Sequence, residues 1–238
     1  MLDVSIILPT LSANNEYFRC LYSIRAAFLG RLEYEIICIV RNIHEFSGVE
    51  DLDLRIIQED ESGIYGAMNT GLKKATGNYI YFIGQDDILL PSAATAIFQG
   101  MENCSDIILA DVFWGKGQVY KNRSSRSMLV WKNWCHQGIF YKRLKFQDAI
   151  NKYPVRFKVQ ADHYINIVVS GLPGLKLTKY CGCVAWYSSD GFSSQSVDLE
   201  FRNDFPAVIH KHFGYISWFT VVVRRMLLKI IRKILKIK

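Results

Sequence analysis

A chain of 238 residues, 50% apolar and 13% aromatic, can fill one large α/β domain or a domain with an appendage; it is neither a disulfide miniprotein nor a disordered chain. The net charge of +7 is local: seven of the 29 Lys and Arg (Arg224, Arg225, Lys229, Arg232, Lys233, Lys236, Lys238) form an acid-free tail, and the 22 that remain balance 22 Asp and Glu. A neutral body lacks the clustered positive charge that tracks a polyphosphate backbone, which excludes nucleic acid as the partner.

The start, Met1-Leu2-Asp3-Val4-Ser5-Ile6, has no basic segment before an apolar run and reads as a strand rather than a secretory leader. Val4–Pro9 is a buried-strand run. Asn14–Gly30 carries Phe18, Leu21, Ile24, Ala27 and Phe28 near helical spacing and stops on glycine. Tyr34–Val40 and Leu54–Ile57 are further strands, Ile64–Ala75 a helix, and Tyr79–Ile83 a fourth strand running into Gly84-Gln85-Asp86-Asp87. Pro91 suits the first turn of a helix reaching Met101. Strands alternating with helices predict βαβ units and a mostly parallel sheet. Ligands bind outside the carboxyl ends of such strands, here Pro9-Thr10, Arg41-Asn42 and Gln85-Asp86-Asp87. In the second half Asp106–Phe113, Gly117–Tyr120 and Lys176–Ser188 read as strands, Asp162–Ser170 as a helix, and Gly191–Ser196 as a loop before the tail. The six cysteines form no Cys-x-x-Cys pair and lie mostly in apolar runs, as reduced structural thiols of the cytosol do. Phe213–Val223, the uncharged apolar stretch ahead of the basic tail, falls short of the roughly 20 residues that span a bilayer.

No glycine-rich phosphate cradle of dehydrogenase or P-loop type is present. Chemistry concentrates instead in Asp86-Asp87 at a strand end, hard oxygen ligands suited to Mg2+ or Mn2+ with a substrate's phosphates. Around them stand Gln58-Glu59-Asp60-Glu61-Ser62-Gly63-Ile64-Tyr65-Gly66-Ala67-Met68-Asn69-Thr70-Gly71 and, further on, His136-Gln137-Gly138-Ile139-Phe140-Tyr141 and Ala161-Asp162-His163-Tyr164. With Ser5-Ile6-Ile7-Leu8-Pro9-Thr10, these four ordered motifs resemble family 2 glycosyltransferases over residues 3–195. The similarity is to the bacterial cell-surface polysaccharide type, with its Gly-Ile-Tyr-Asp-Ala-Met-Asn segment.

The resemblance implies a GT-A fold: a catalytic domain over residues 1–200 and a helical extension over 201–238. It implies an inverting, metal-dependent transfer from a nucleotide sugar, a UDP-sugar, to a glycan or lipid-linked acceptor. Pro9, Thr10, Glu61, Tyr65, Asn69 and Asp86 would bind the donor. Asp87, with Asp86, would hold Mn2+ or Mg2+. Asp162 would be the general base, and His136 and Gln137 would lie near the sugar and acceptor. His163 either orients the acceptor or is a satisfied structural histidine. Trp131, Trp134, Phe140 and Tyr141 either stack on sugar or pack the core. Three positions depart from the pattern: Arg41 where the family places an Asp, Gln85 as the first metal-motif residue, and Gly66 for the Asp after Gly-Ile-Tyr. They leave a second reading open, a catalytically degenerate nucleotide-sugar-binding protein or membrane-surface scaffold.

In the tail, Arg225, Lys229, Arg232 and Lys236 share one helical face, opposite Met226, Leu227, Ile230, Ile231, Ile234 and Leu235. A basic amphipathic helix of this kind lies in an anionic membrane interface. That predicts a peripheral protein on the inner, cytoplasmic face of the cell membrane. The alternative is a helix packed on its own body or on a second subunit.

Overall fold

The computed structural model describes residues 2–46, 54–188 and 198–235. Gly191–Ser196, expected to be a loop, lies outside them. In chain order the elements are β1 (Val4–Thr10), α1 (Asn15–Phe28), β2 (Tyr34–Val40), β3 (Leu54–Gln58), α2 (Ile64–Lys74), β4 (Tyr79–Phe82) and β5 (Ile88–Leu89). They continue as α3 (Ser92–Glu102), β6 (Ile107–Trp114), β7 (Gln118–Tyr120), β8 (Ile139–Lys142), α4 (Arg143–Ala149), α5 (Ala161–Ser170), β9 (Leu177–Tyr187) and α6 (Leu199–Leu235).

Among the described residues the strands form one nine-stranded sheet in the order β3-β2-β1-β4-β8-β6-β9-β5, with β7 on β6. The β3-β2-β1-β4 half is parallel, with Thr10 opposite Val40 and Ile7 opposite Phe82. β1, β2 and β4 therefore present their carboxyl ends together, as their alternation with helices predicts. β8 enters antiparallel between β4 and β6, so it begins at the edge of the sheet where β4 ends.

Alternate side chains of the central strands feed two cores. Ile6, Leu8, Ile36, Cys38 and Tyr81 pack with α1 and α3, while Ile7, Ile37, Ile39, Ile80 and Phe82 pack with α2 and α5. Both faces are covered, so β1 and β4 are buried throughout and read as unbroken apolar runs. α1 starts where the Asn14 side chain accepts the Tyr17 N–H at 3.0 Å, an N-cap. Buried Glu35 ties the amino-terminal edge of the sheet together. Its carboxylate accepts from Ser5 Oγ (2.7 Å), Thr76 N (2.8 Å), Thr76 Oγ1 (2.6 Å) and Arg55 Nη1 (2.8 Å).

The extension does not part from the body at residue 201. Phe201, Ile209 and Val221 are buried in the same core as α2 and α5. α6 breaks at Gly214, whose φ of 80° is outside helical space. Arg225, expected on the basic face, folds back instead: Nη2 donates to the Arg202 carbonyl and the guanidinium lies 5.8 Å from the Phe205 ring. From Met226 to Lys233 every described side chain is exposed.

Candidate active site

β4 delivers its following residues to the rim, and the chain folds back there. Asp87 N donates to Gly84 O at 3.1 Å, and the Asp87 carboxylate returns over the turn. Its Oδ2 accepts from Gly84 N (3.1 Å) and Gln137 Nε2 (3.0 Å), and its Oδ1 from Ser188 N (3.0 Å). At 1% exposure it is a buried charge. Burial, and then the neighbouring Asp86, push its carboxyl up to about 7. Burial also raises Asp86. A Cβ at Gly84 would lie 2.7 Å from Asp86 Oδ1 and 3.1 Å from Asp87 Oδ2, so the two carboxylates converge on space that glycine keeps open. Arg19, whose Nη2 donates to the Asp86 carbonyl at 3.3 Å, is a positive side chain beside them, and two converging carboxylate oxygens fit a hard divalent cation that completes its shell with phosphate and water. Among the described residues no group of three or more His, Cys, Asp or Glu is arranged for a metal. A cation here depends on its substrate for further ligands.

The second carboxylate is Asp162, in the first turn of α5. The helix amino terminus favours the anion, yet burial pushes Asp162 up to about 6. Hydrogen bonds from the His163 backbone N–H and the Asn133 amide (Nδ2 to Oδ2, 2.7 Å) oppose that shift, and the Tyr65 hydroxyl lies 3.3 Å from Oδ1. The Tyr65 hydroxyl is nearer the Val159 carbonyl, at 2.7 Å, and its single proton serves that acceptor. A carboxylate of this kind is poised to take a proton near neutral pH.

A short segment joins the two centres: Asn133 bonds Asp162, and four residues later Gln137 bonds Asp87. Tyr65, in the first turn of α2 just past the carboxyl end of β3, has its hydroxyl 3.3 Å from Asp162 Oδ1, which puts Asp162 at the same rim of the sheet. The segment reaches the rim because it leads into antiparallel β8. An aromatic path runs alongside it: His136 packs against Tyr153 (6.2 Å between centroids), and Tyr153 stacks on Tyr65 (5.5 Å).

Other expected site residues take different parts. The Thr10 hydroxyl faces inward, donating to Leu8 O (3.2 Å) and accepting from Cys38 Sγ (3.3 Å); with Pro9 it stands at the rim through its backbone. Asn69 is buried and clamps Tyr153, donating to its carbonyl (3.0 Å) and accepting its N–H (2.6 Å). Glu61 is exposed. Gln137, expected near the acceptor, sits on the metal-type carboxylate. His136 is buried on Phe82 (5.1 Å between centroids), burial holds it down to about 4, and Nδ1 has no hydrogen-bond partner among the described residues. His163 is turned away from the rim. Its Nε2 donates to Leu129 O (2.8 Å) and its ring meets Phe201 and Phe205 of α6. Successive helical residues diverge by about 100°, so Asp162 and His163 point in different directions, and His163 is a packing residue. Trp134, Phe140 and Tyr141 are buried core residues, while half-exposed Trp131 carries Arg224 over its ring at 5.0 Å. Asn133 and the Ser188 backbone N–H were not legible in advance, because each meets its carboxylate across a long sequence separation.

The three departures also have structural accounts. Gln85 Oε1 accepts the Leu11 N–H at 2.6 Å and staples the end of β1 to that of β4. Arg41 lies 3.8 Å from Glu59, across the ends of β2 and β3. At Gly66 a Cβ would lie 2.0 Å from the Glu61 carbonyl oxygen, so the loop before α2 rests directly on the helix.

Comparison with known proteins follows this geometry. Residues 5–162 match the family described as Glycosyl transferase family 2. A Mycobacterium bovis protein named PGL/p-HBAD biosynthesis glycosyltransferase is 32% identical over 226 residues, covering 85% of this chain and 83% of that one. The Staphylococcus aureus poly(ribitol-phosphate) beta-N-acetylglucosaminyltransferase TarP is 25% identical over 175 residues, 66% of this chain and 53% of its own. Among solved structures, S. aureus TarS 1-349 in complex with UDP-GlcNAc aligns with a TM-score of 0.71 at 15% identity, over 87% of this chain and 65% of that chain. This chain thus spans just under two thirds of that structure. The mannosyltransferase PcManGT from Pyrobaculum calidifontis, in complex with GDP-Man and Mn2+, aligns with a TM-score of 0.60 over 94% of this chain and 66% of that one, at 15% identity. These structural likenesses establish the fold, of GT-A type.

Proposed function

Because the chain belongs to glycosyl transferase family 2, we propose that it moves a sugar from a UDP-type donor onto a hydroxyl of a lipid-linked or cell-surface glycan, inverting the anomeric centre. The observation that carries this is the pair of acidic centres on one rim: Asp86 with Asp87 at the end of β4, and Asp162 at the start of α5. The acceptor oxygen forms its bond to the anomeric carbon as the bond to the donor phosphate breaks. The acceptor proton passes to Asp162 Oδ1, and the nucleoside diphosphate leaves with the electron pair. Asp87 and Asp86 would hold a divalent cation of the Mg2+ or Mn2+ class, which would supply the positive charge that stabilises that leaving group. Gln137, the Gly84 N–H and the Ser188 N–H keep the Asp87 carboxylate in place for it. The UDP-GlcNAc bound by one structural neighbour and the GDP-Man with Mn2+ bound by the other support a nucleotide-sugar donor used with a divalent metal.

The test separates binding from turnover. In Mn2+, UDP should raise the melting temperature of the wild-type chain and of Asp162→Asn, but not of Asp87→Asn. Asp162→Asn should lose about 10²- to 10⁴-fold in diphosphate release from nucleotide sugars, the range for a general base. Wild-type turnover in Asp162→Asn would refute the assignment.

The same protein works at an anionic membrane surface in this reading, on its cytoplasmic face. No helix among the described residues is long and apolar enough to cross a membrane. Past Arg225, however, Met226, Leu227, Leu228, Ile230 and Ile231 are 43–59% exposed, interleaved with Lys229 and Lys233. An uncovered apolar surface with basic neighbours and no acid complements anionic lipid.

A further inference from the structure

We infer that Asn133 and Asn166 are positioning residues for Asp162. With the Tyr141 hydroxyl they form a one-way hydrogen-bond relay that holds carboxylate Oδ2 and leaves Oδ1 to take the acceptor proton. The inference rests on the reading of Asp162 as the base. The relay has three links. Tyr141 OH donates to Asn166 Oδ1 at 2.5 Å, Asn166 Nδ2 to Asn133 Oδ1 at 2.8 Å, and Asn133 Nδ2 to Asp162 Oδ2 at 2.7 Å.

Its direction follows from its ends. An ionised carboxylate only accepts, so Asn133 must present its amide nitrogen to Asp162 and its oxygen to Asn166. Asn166 must then present nitrogen to Asn133 and oxygen to Tyr141, which must donate. Tyr141 and Asn166 are both fully buried, and burial holds the Tyr141 hydroxyl well above its ordinary range, so it keeps its proton at any working pH. Reversing the chain would aim the Asn133 oxygen at the carboxylate. Bonds aligned in this sense polarise one another toward the charge.

The placement follows from helix and strand. Asp162 and Asn166 are one turn apart on α5, on the same face, and Asn133 clips the two turns together. Tyr141 belongs to β8, bonded to β4 and β6, so the relay ties the base to the sheet that carries Asp87. The titratable groups around Asp162 are Tyr65 of α2, Tyr120 of β7, Cys135, Tyr141 of β8 and Tyr153. Burial raises them all. Neighbouring His163 is held down to about 4 by burial, and the Lys132 ammonium sits over the Tyr120 ring at 3.7 Å. None of these groups changes charge between pH 5 and 8; Asp87, which burial raises to about 7, does, so the Asp162 titration is told apart from that of Asp87 by its own resonance.

Protein labelled with 13Cγ-aspartate, free of donor and metal, reads that titration directly; the Asp162 resonance is the one missing in Asp162→Asn. Removing a hydrogen bond to a charged group, worth about 1.5–3 kcal/mol, should move the Asn133→Ala midpoint about one to two pH units upward. Tyr141→Phe, which deletes one hydroxyl two links away, should move it in the same direction by about 0.3. Tyr141→Phe also keeps the test open should Asn133→Ala fail to fold. A folded variant whose midpoint stays at the wild-type value overturns the relay, because a merely structural network would change melting temperature without moving the titration. No donor enters the measurement, so its failure is distinct from a failure of the glycosyltransferase reading.

Discussion

Replacing Gly66 by alanine or aspartate pits helix propensity against packing. Propensity alone favours either change: alanine gains about 1 kcal/mol over glycine within a helix and aspartate a few tenths. Aspartate is also the residue that the Gly-Ile-Tyr pattern leads one to expect. The structure reverses the sign. A Cβ on Gly66 would stand 2.0 Å from the Glu61 carbonyl oxygen and 2.6 Å from its carbon, and a backbone obstacle has no rotamer by which to move aside. The loop is also pinned by the middle and last turn of the helix, through Asp60 N to Thr70 Oγ1 (3.0 Å) and Lys73 Nζ to Asp60 Oδ2 (2.9 Å). Overpacking of this kind costs about 1–3 kcal/mol or more, which exceeds the propensity gain. A backbone approach of 2.0 Å belongs at the upper end of that range, about 3 kcal/mol, which leaves about 2 kcal/mol after the propensity gain. With about 2–4 °C per kcal/mol for a chain of this size, Gly66→Ala should melt about 4–8 °C lower than wild type, and Gly66→Asp lower still. Thermal unfolding by circular dichroism reads both. A Gly66→Ala chain that melts at or above the wild-type temperature would show that Glu61 is not held against the helix.

Two further outcomes are expected. Burial pushes the Glu35 carboxyl up, but bonds from Thr76, Ser5 and Arg55 outweigh it and hold the group below its ordinary value. Its contribution is therefore present above the unfolded-state pKa, near 4.3, and is lost as pH falls through the folded value. Glu35→Ala should cost about 3 kcal/mol in urea unfolding at pH 7 and less at pH 3; an equal loss at both would refute the assignment. Changing Met226, Leu227, Ile230 and Ile231 together to serine should weaken sedimentation with phosphatidylglycerol vesicles at least about tenfold and leave the melting temperature nearly unchanged. Undiminished sedimentation would end the membrane reading of the tail.

Local signals were enough wherever the chain builds its structure locally. β1, β2 and β4 are short apolar runs because both faces of the sheet are covered, and α1 announces itself through Asn14 and an amphipathic stripe. β8 escaped notice: four residues, Ile139–Lys142, carry no turn signal of their own, and their place between β4 and β6 is a matter of long-range pairing. The site divides in the same way. Asp86 and Asp87 were legible as polar residues ending an apolar strand, and Asp162 through its motif. The partner of Gln137 was not, because a contact across 50 residues leaves no trace in spacing. Helical periodicity likewise groups Arg225 with Lys229, but tertiary packing draws Arg225 back to Phe205.

The exposed end of α6 has a consequence for how the molecule meets a charged plane. Ten residues, 226–235, extend about 15 Å along a helix axis, whereas the Debye length in physiological salt is about 8 Å. The cations at its far end therefore lie beyond the screening distance from the neutral remainder of the chain. An anionic surface pulls on one extremity and is nearly indifferent to the other, which amounts to a torque. If the tail meets such a surface as proposed, the molecule would be turned while still in solution and would arrive tail first, with an encounter rate that falls steeply as salt is added.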